Sequence, residues 1–294
     1  MLALTKIKKD IEFNNDFKKA LEVLKLIAAA QFYALEKNLK ATTHTEGTSH
    51  KPFTRFEGSV KELLDTLLAI PFKHAFLEPA AETKPRLFLC MTSDRGLLGG
   101  LNMRVVRAAI DRVRSAEDEL VVVGEQGKNY ARDSGIRFTL FPGIQDDRLH
   151  EQTDRLAHHL FKEVKSGRFG AIETVYPRAL SLVSQRLEII PLFPPSREGI
   201  EPLSKEKRAS LILESSPASL LEYLVYLSLV DRLTNIFLMS RLAEAAARYT
   251  HLEECMQKID EINKKLKLKY FRLRHEVIDA SMRELFSARI VYAE

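Results

Sequence analysis

Neither glycine nor proline occurs before Gly47 or after Pro217 in this chain of 294 residues. All twelve glycines and eleven prolines fall between those two positions. The first 46 residues and the last 77 therefore contain no backbone breaker, and nothing in them interrupts a helix. A chain punctuated only in its middle predicts two long helices flanking one compact domain. At 1.5 Å per residue, a continuous C-terminal helix would be on the order of 115 Å long, far longer than a domain of this size is wide.

Apolar periodicity agrees. Leu4, Ile7, Ile11, Phe17, Leu21, Leu24, Ala28, Phe32, Leu35 and Leu39 recur at three- and four-residue steps, with a gap at Asn14. Leu252, Met256, Ile259, Ile262, Leu266, Tyr270, Leu273 and Val277 form a similar stripe near the C-terminus. Upstream, Leu220, Leu224, Leu227, Val230, Leu233 and Phe237 continue it. These are narrow seams of the coiled-coil kind rather than broad core faces. The simplest arrangement pairs the two helices antiparallel, with close approach at Ala28–Ala30 and Ala243–Ala247. The C-terminal helix exceeds its partner by about thirty residues by that reading, and an exposed apolar seam is costly, so a partner protein is implied.

The middle of the chain alternates. Strand-like runs are Arg86–Met91, Leu120–Val123, Arg137–Leu140, Ala171–Tyr176 and Leu187–Leu192. Helical spacing covers Met103–Arg114, Gln126–Ser134 and His150–Ser166, with a shorter helix at Val60–Leu68. Strand–helix–strand alternation predicts a parallel sheet. The fold class read from the sequence is α/β: a long antiparallel two-helix coiled coil plus a Rossmann-like central domain. Its divisions are an N-terminal coiled-coil helix over 1–46, a connector over 47–84, an α/β domain over 85–200, a linker over 201–216 and a C-terminal coiled-coil helix over 217–294.

Composition excludes several functions. The net charge is +5, but the excess is spread thinly over all three parts of the chain, unlike a nucleic-acid binder with one basic face. No apolar run reaches membrane-spanning length, and the N-terminus does not read as a signal peptide. Cys90 and Cys255 lie far apart, so no disulfide framework or zinc site is expected. After the first strand comes Thr92-Ser93-Asp94-Arg95-Gly96-Leu97-Leu98-Gly99-Gly100-Leu101-Asn102. This is where α/β folds bind phosphate, yet the spacing matches neither common phosphate loop. The reading is a tight strand-to-helix turn with Asp94 and Arg95 paired locally or presented to a partner. His158-His159 sits on a helix where neighbours face different ways. No catalytic constellation, metal site or cofactor is expected. Lys258–Glu276 holds seven basic residues against three acidic ones, either a solvated face of the helix or a cationic collar that suits acidic loops on a surrounding protein.

Four segments together resemble the gamma subunit of F-type ATP synthases. Ser93–Asn102 resembles that family's hallmark turn, with Leu98 where the family usually has Cys. Leu24–Ala30 resembles its N-terminal motif of Lys between apolar residues followed by small ones. Ala243–Leu252 resembles its Glu-x-Ala-Ala-Arg stretch, with Arg248 at the Arg. Lys265–Ile278 resembles its C-terminal run, retaining Tyr270, Arg272 and Arg274. The family's Lys-Leu-Arg-Arg stretch is here Gln31-Phe32-Tyr33-Ala34. Its Asn-Ala-x-x-Asn run is replaced around Cys255–Lys258, and its Thr-Gln-Glu aligns with Asp279-Ala280-Ser281. The usual Gly/Ala-rich ending is replaced over Ser287–Tyr292, so the chain reads as a divergent member.

The resemblance implies a coiled-coil shaft with an α/β domain, its tip inside a hexamer of alternating α and β subunits. It implies docking, with an epsilon subunit, on a membrane ring of c subunits, and rotation that couples proton flow to ATP synthesis or hydrolysis. It implies no bond chemistry in this chain and no nucleic-acid partner. The expected location is peripheral, on the cytoplasmic face of a bacterial inner membrane. The subunit contacts it implies are Lys25, Ser93, Asp94, Arg95, Gly96, Gly99, Gly100, Asn102, Arg248, Lys264, Lys265, Lys267, Tyr270, Arg272 and Arg274. The alternative from a different class is a gamma-derived structural coiled-coil protein no longer coupled to rotation.

Overall fold

A computed structural model describes residues 2–43, 57–70, 72, 74, 76, 84–195 and 215–291. The two breaker-free ends form helix α1 (Leu2–Thr43) and helix α6 (Pro217–Val291). Between them come α2 (Glu57–Leu68), β1 (Arg86–Met91), α3 (Leu101–Ile110), β2 (Glu119–Val123), α4 (Glu125–Asp133), β3 (Phe138–Phe141), α5 (Leu149–Lys165), β4 (Ala171–Ser181) and β5 (Ser184–Phe193). Most of the connector over 47–84 and nearly all of the linker over 201–216 lie outside the described residues. By internal contacts the chain divides into two units, Met1–Ala29 with Tyr249–Glu294, and Ala30–Arg248.

The larger unit is built on a five-stranded sheet of order β3-β2-β1-β4-β5. β1, β2, β3 and β4 pair in parallel. The expected all-parallel sheet needs one correction: β5 runs antiparallel to β4. Both strands extend to a turn between Ser181 and Ser184, which is too short for the crossover a parallel neighbour requires.

The continuous apolar run of β1 reflects burial on both faces. Phe88 and Cys90 pack with Val105, Val106 and Ala109 of α3 on one side. Leu87, Leu89 and Met91 pack on the other with Leu64 of α2, Leu156 and Leu160 of α5, and Leu221, Leu233 and Phe237 of α6. Burial pushes the Cys90 thiol up to about 12, which leaves it inert. Buried Asp118 fastens the start of the sheet: its carboxylate accepts the backbone N–H groups of Arg86 (2.8 Å), Arg114 (2.9 Å) and Ser115 (3.1 Å). A separate small core joins Phe32 and Leu39 of α1 to Leu242, Ala245 and Ala246 of α6, with Ala179 and Leu182 of the β4–β5 hairpin against it.

In the smaller unit the two helices lie antiparallel, and the register is set by polar side chains. Lys18 meets Asp260 at 2.6 Å and Lys25 meets Glu253 at 2.8 Å. Asn263 accepts from Asn14 (2.9 Å) and donates to Asn15 (3.0 Å). Leu21 packs with Leu252, Met256 and Ile259.

Along the seam of α1 lie Leu4, Ile7, Ile11, Asn14, Lys18, Leu21, Lys25 and Ala28, each at least partly buried, and along that of α6 lie Leu252, Met256, Ile259, Asn263, Leu266, Tyr270 and Leu273. Both alternate steps of three and four, the heptad pattern of a coiled coil. This corrects the apolar stripes read from sequence. Phe17 (49%), Leu24 (40%) and Ile262 (48%) are exposed, while Lys18, Lys25 and Asn263 occupy seam positions. A reading that follows hydrophobicity alone steps onto the neighbouring apolar residue wherever the seam itself is polar.

Asn263 is 6% exposed, so its amide depends on its two partners. Asn263→Ala is expected to cost about 1–2 kcal/mol and to speed amide exchange around Asn14. Hydrogen exchange followed by mass spectrometry reads this directly, and unchanged protection over residues 10–20 of α1 would count against the polar lock.

Candidate functional site

The loop after β1 is held from below by its own polar groups. Thr92 Oγ1 donates to the Val123 carbonyl at 2.7 Å, and the Thr92 N–H donates to the same oxygen at 2.8 Å. The Ser93 N–H donates to Asn102 Oδ1 at 3.2 Å, and Asn102 Nδ2 donates to Ser93 Oγ at 3.0 Å, so the first turn of α3 is tied to the end of β1. Between them Leu97 (φ 64°) and Gly99 (φ 57°) take the left-handed conformation, which Gly99 adopts without strain.

Asp94 closes the loop. One oxygen of its carboxylate accepts the N–H of Glu125 at the start of α4 and the N–H of Gly143 after β3, each at 2.9 Å. A helix N-terminus attracts anions, and here the anion is the chain's own side chain. Gly143 must be glycine for this approach, since a Cβ there would stand 2.5 Å from the Asp94 carboxylate carbon. The local pairing expected of Asp94 is therefore present, at the start of α4 and the turn after β3.

Above the loop lies a segment of α6 in which Arg248 was the one residue expected to make a subunit contact. Leu98 and Leu101 pack on Ala247. Glu244 is 4% exposed and meets Arg241 at 3.2 Å. Arg241 in turn donates through Nε and Nη2 to both oxygens of Asp146, each at 3.0 Å, a bidentate pair. Burial pushes the Glu244 carboxyl up to about 7 against the pull of Arg241 and Arg248, and the nearby Asp94 adds to the rise. Burial also lowers Arg248, with Arg241 and Arg95 adding to the fall and Glu244 opposing it. Arg248 Nη2 is buried without a hydrogen-bond partner among the described residues. Asp94, Arg95, Asp146, Arg241 and Glu244 line a cleft of about 380 Å³. Arg95, on its rim, is exposed.

Of the residues singled out from sequence, Ser93, Asp94, Arg95, Gly96, Gly99, Gly100 and Asn102 share this loop, and Arg248 joins them in the same unit. Lys25 belongs to the other unit, where its ammonium holds Glu253 and lies 5.8 Å from the Tyr249 ring centroid. The hydrogen bond to Glu253 raises Lys25, and the same bond lowers Glu253. Lys264, Lys265, Lys267, Arg272 and Arg274 are exposed on α6 and make no ion pair among the described residues, while Tyr270 is half-buried. Arg241, Glu244 and Asp146 escaped the sequence reading. Glu244 was visible as the Glu of the Glu-x-Ala-Ala-Arg stretch, but nothing in that spacing shows it is buried. No group of three or more metal-binding side chains occurs among the described residues.

Fold and site together define an α/β protein with an antiparallel pair of terminal helices and an electrostatically locked strand-end loop. Comparison with known proteins narrows this class. The sequence profile of the ATP synthase family matches residues 3–289. The ATP synthase gamma chain of Clostridium acetobutylicum is 23% identical over 282 residues, spanning 95% of this chain and 94% of that one. Among solved structures, a chain of the Euglena gracilis mitochondrial ATP synthase (OSCP/F1/c-ring) superposes with a TM-score of 0.71 at 15% identity, covering 98% of this chain and 94% of its own. A chain of the Tetrahymena thermophila mitochondrial ATP synthase central stalk and c-ring gives 0.60 at 19% identity, covering 80% and 99%. The chain belongs to the ATP synthase family, as a divergent gamma subunit.

Glu244 sets a pH dependence with a definite sign. Its carboxyl rises from 4.5 to about 7 on folding, so between those values the folded chain keeps a proton that the unfolded chain has lost. Its contribution to stability therefore falls as pH rises through that window and is level above it. Glu244→Gln, which stays neutral, is expected to match the parent near pH 5 and to exceed it by about 1–3 kcal/mol at pH 8. Urea midpoints at both pH values measure this; a variant that loses ground as pH rises would show that ionised Glu244 stabilises.

Proposed function

We propose that this chain is the rotor of the central stalk of an F-type ATP synthase, transmitting rotation between a proton-driven membrane ring and the ATP-handling β subunits. The chain forms no bond of its own in this reading and acts by contact. Its partners are the α and β subunits around the helix pair, and an epsilon subunit and the c-ring at the α/β unit. No described helix is long and apolar enough to cross a membrane, and membrane association comes through the complex, at the cytoplasmic face of a bacterial inner membrane.

The far end of α6 carries this reading. With Lys18 opposite Asp260, the first described residue of α1, Leu2, falls opposite Glu276, so the described part of α1 pairs with α6 only as far as that residue. Val277, Ile278, Met282, Leu285 and Phe286 are 37–66% exposed. Apolar residues at this density on one helix favour a protein sheath. Just before them stand Lys264, Lys265, Lys267, Arg272 and Arg274, cations able to meet acidic loops on that sheath. In the α/β unit, exposed Arg95 and half-buried Arg248 offer a second site of contact.

Co-expression with α and β subunits of the same genome tests the assignment. One copy of this chain per three α and three β, as the rotor arrangement requires, is expected to co-purify, with ATPase activity depending on it. A hexamer that forms and turns over without the chain would instead favour a structural protein no longer coupled to rotation.

Reversing Lys264, Lys265 and Lys267 to Glu is expected to slow ATP turnover of the assembled complex several-fold, roughly the loss of one or two exposed ion pairs. The effect should shrink as salt screens the parent's own attraction. Equal turnover by variant and parent at low salt would reduce this collar to solvated surface.

A further inference from the structure

A second cavity, of about 360 Å³, opens in the α/β unit at the carboxyl ends of β2 and β3. Its floor is apolar: Val123 (1% exposed) ends β2, Phe141 ends β3, and Leu156 (1%) of α5 and Phe237 (2%) of α6 close it. The cavity lies at the carboxyl edge of the sheet but beside β2 and β3, away from the β1–β4 reversal of strand order where ligands of open α/β sheets usually sit. The volume lies at the lower end of the range for small-molecule sites, about 300–1,000 Å³.

The polar groups sit on one side. Arg148, the residue just before α5, and Arg155, two turns on, both line the mouth. Arg155 is paired with Glu151 at 2.6 Å. The Arg148 guanidinium has no ion pair or side-chain hydrogen bond among the described residues. No side chain caps the first turn of α5, and its one acidic residue, Glu151, which also lines the mouth, is held by Arg155, so the positive end of the 17-residue helix stands beside the free Arg148. Gln152 is already committed, accepting from the Gln145 N–H and donating to the Gly143 carbonyl. It braces the mouth and leaves Arg148 as the open donor. Asp146 and Asp147 line the neighbouring cleft and not this cavity. An apolar floor with one unpartnered guanidinium and a helix N-terminus at its edge selects a ligand with an apolar body and a single negative head.

We propose that this cavity binds a small amphiphilic anion, a short acyl chain or single ring system bearing one carboxylate or sulfonate, with its body on Phe141 and Phe237 and its head at Arg148. The site is independent of the rotor role: it uses neither the hallmark loop nor the exposed end of α6.

The test is a fluorescence titration of the full chain with anilinonaphthalene sulfonate, followed by displacement with octanoate. The expected result is a saturable component of one dye per chain that octanoate displaces and octylamine does not. Arg148→Glu should weaken that component at least ten-fold, and Arg148→Lys should keep most of it. Arg148 is exposed at a helix end, so both variants should fold, and circular dichroism checks this. Dye that binds without saturation, that octylamine displaces as well as octanoate does, or that binds Arg148→Glu as tightly as the parent would overturn the proposal. Any of these would mean that the dye reports exposed apolar residues of α6 instead.

Discussion

The pairing of Lys18 with Asp260, Lys25 with Glu253, and Asn263 with Asn14 and Asn15 fixes how the smaller unit can exist. Two apolar stripes on long helices would bury nearly the same area after sliding by one heptad. Polar side chains inside the seam remove that freedom, because any slip leaves an amide or an ammonium facing hydrocarbon. Each contact is modest: half-exposed ion pairs contribute about 0–1 kcal/mol, and a polar residue at a core position lowers stability while it specifies register. What they supply is uniqueness. The exposed end of α6 has a defined starting point only because the register is single.

The larger unit solves a different electrostatic problem by similar means. A strand-to-helix turn leaves backbone N–H groups pointing outward, and Asp94 turns inward to satisfy two of them. Glu244 is then buried a short distance away, where it would be repelled by Asp94 without Arg241 and Arg248. Arg241 links it outward to Asp146. The loop, the turn after β3 and α6 thus hold one network of alternating charge. Removing Arg241 would take away one of the two cations that oppose the burial of Glu244, pushing its carboxyl further toward the neutral form.

Much of this was legible in the residues. The missing glycines and prolines mark where both long helices lie, and strand β1 matches its predicted span, because a strand buried on both faces must be apolar throughout. The polar seam was not legible, since Lys18, Lys25 and Asn263 resemble surface residues until their partners more than two hundred positions away are known. Strand β5 was located but its direction was not, because apolar content does not distinguish a hairpin from a crossover; the polar residues Ser181 and Ser184 were the available signal. At the loop, Asp94 was recognised as locally paired, but the burial of Glu244 follows from the packing of Leu98 and Leu101 on α6, which spacing cannot reveal.

The seven-residue repeat of the seam has a geometric consequence. A straight α-helix drifts by about 20° per heptad against such a repeat, so the paired helices must wind around each other with a left hand. Over the 28 residues of α1 from Leu2 to Ala29, about 42 Å at 1.5 Å per residue, four heptads amount to roughly a quarter turn. A neighbour touching this pair near Asn14 therefore faces it from a different azimuth than one touching it near Lys25. The sequence repeat makes the surface chiral along its length, so contacts at different heights are out of phase even when the residues that make them are alike.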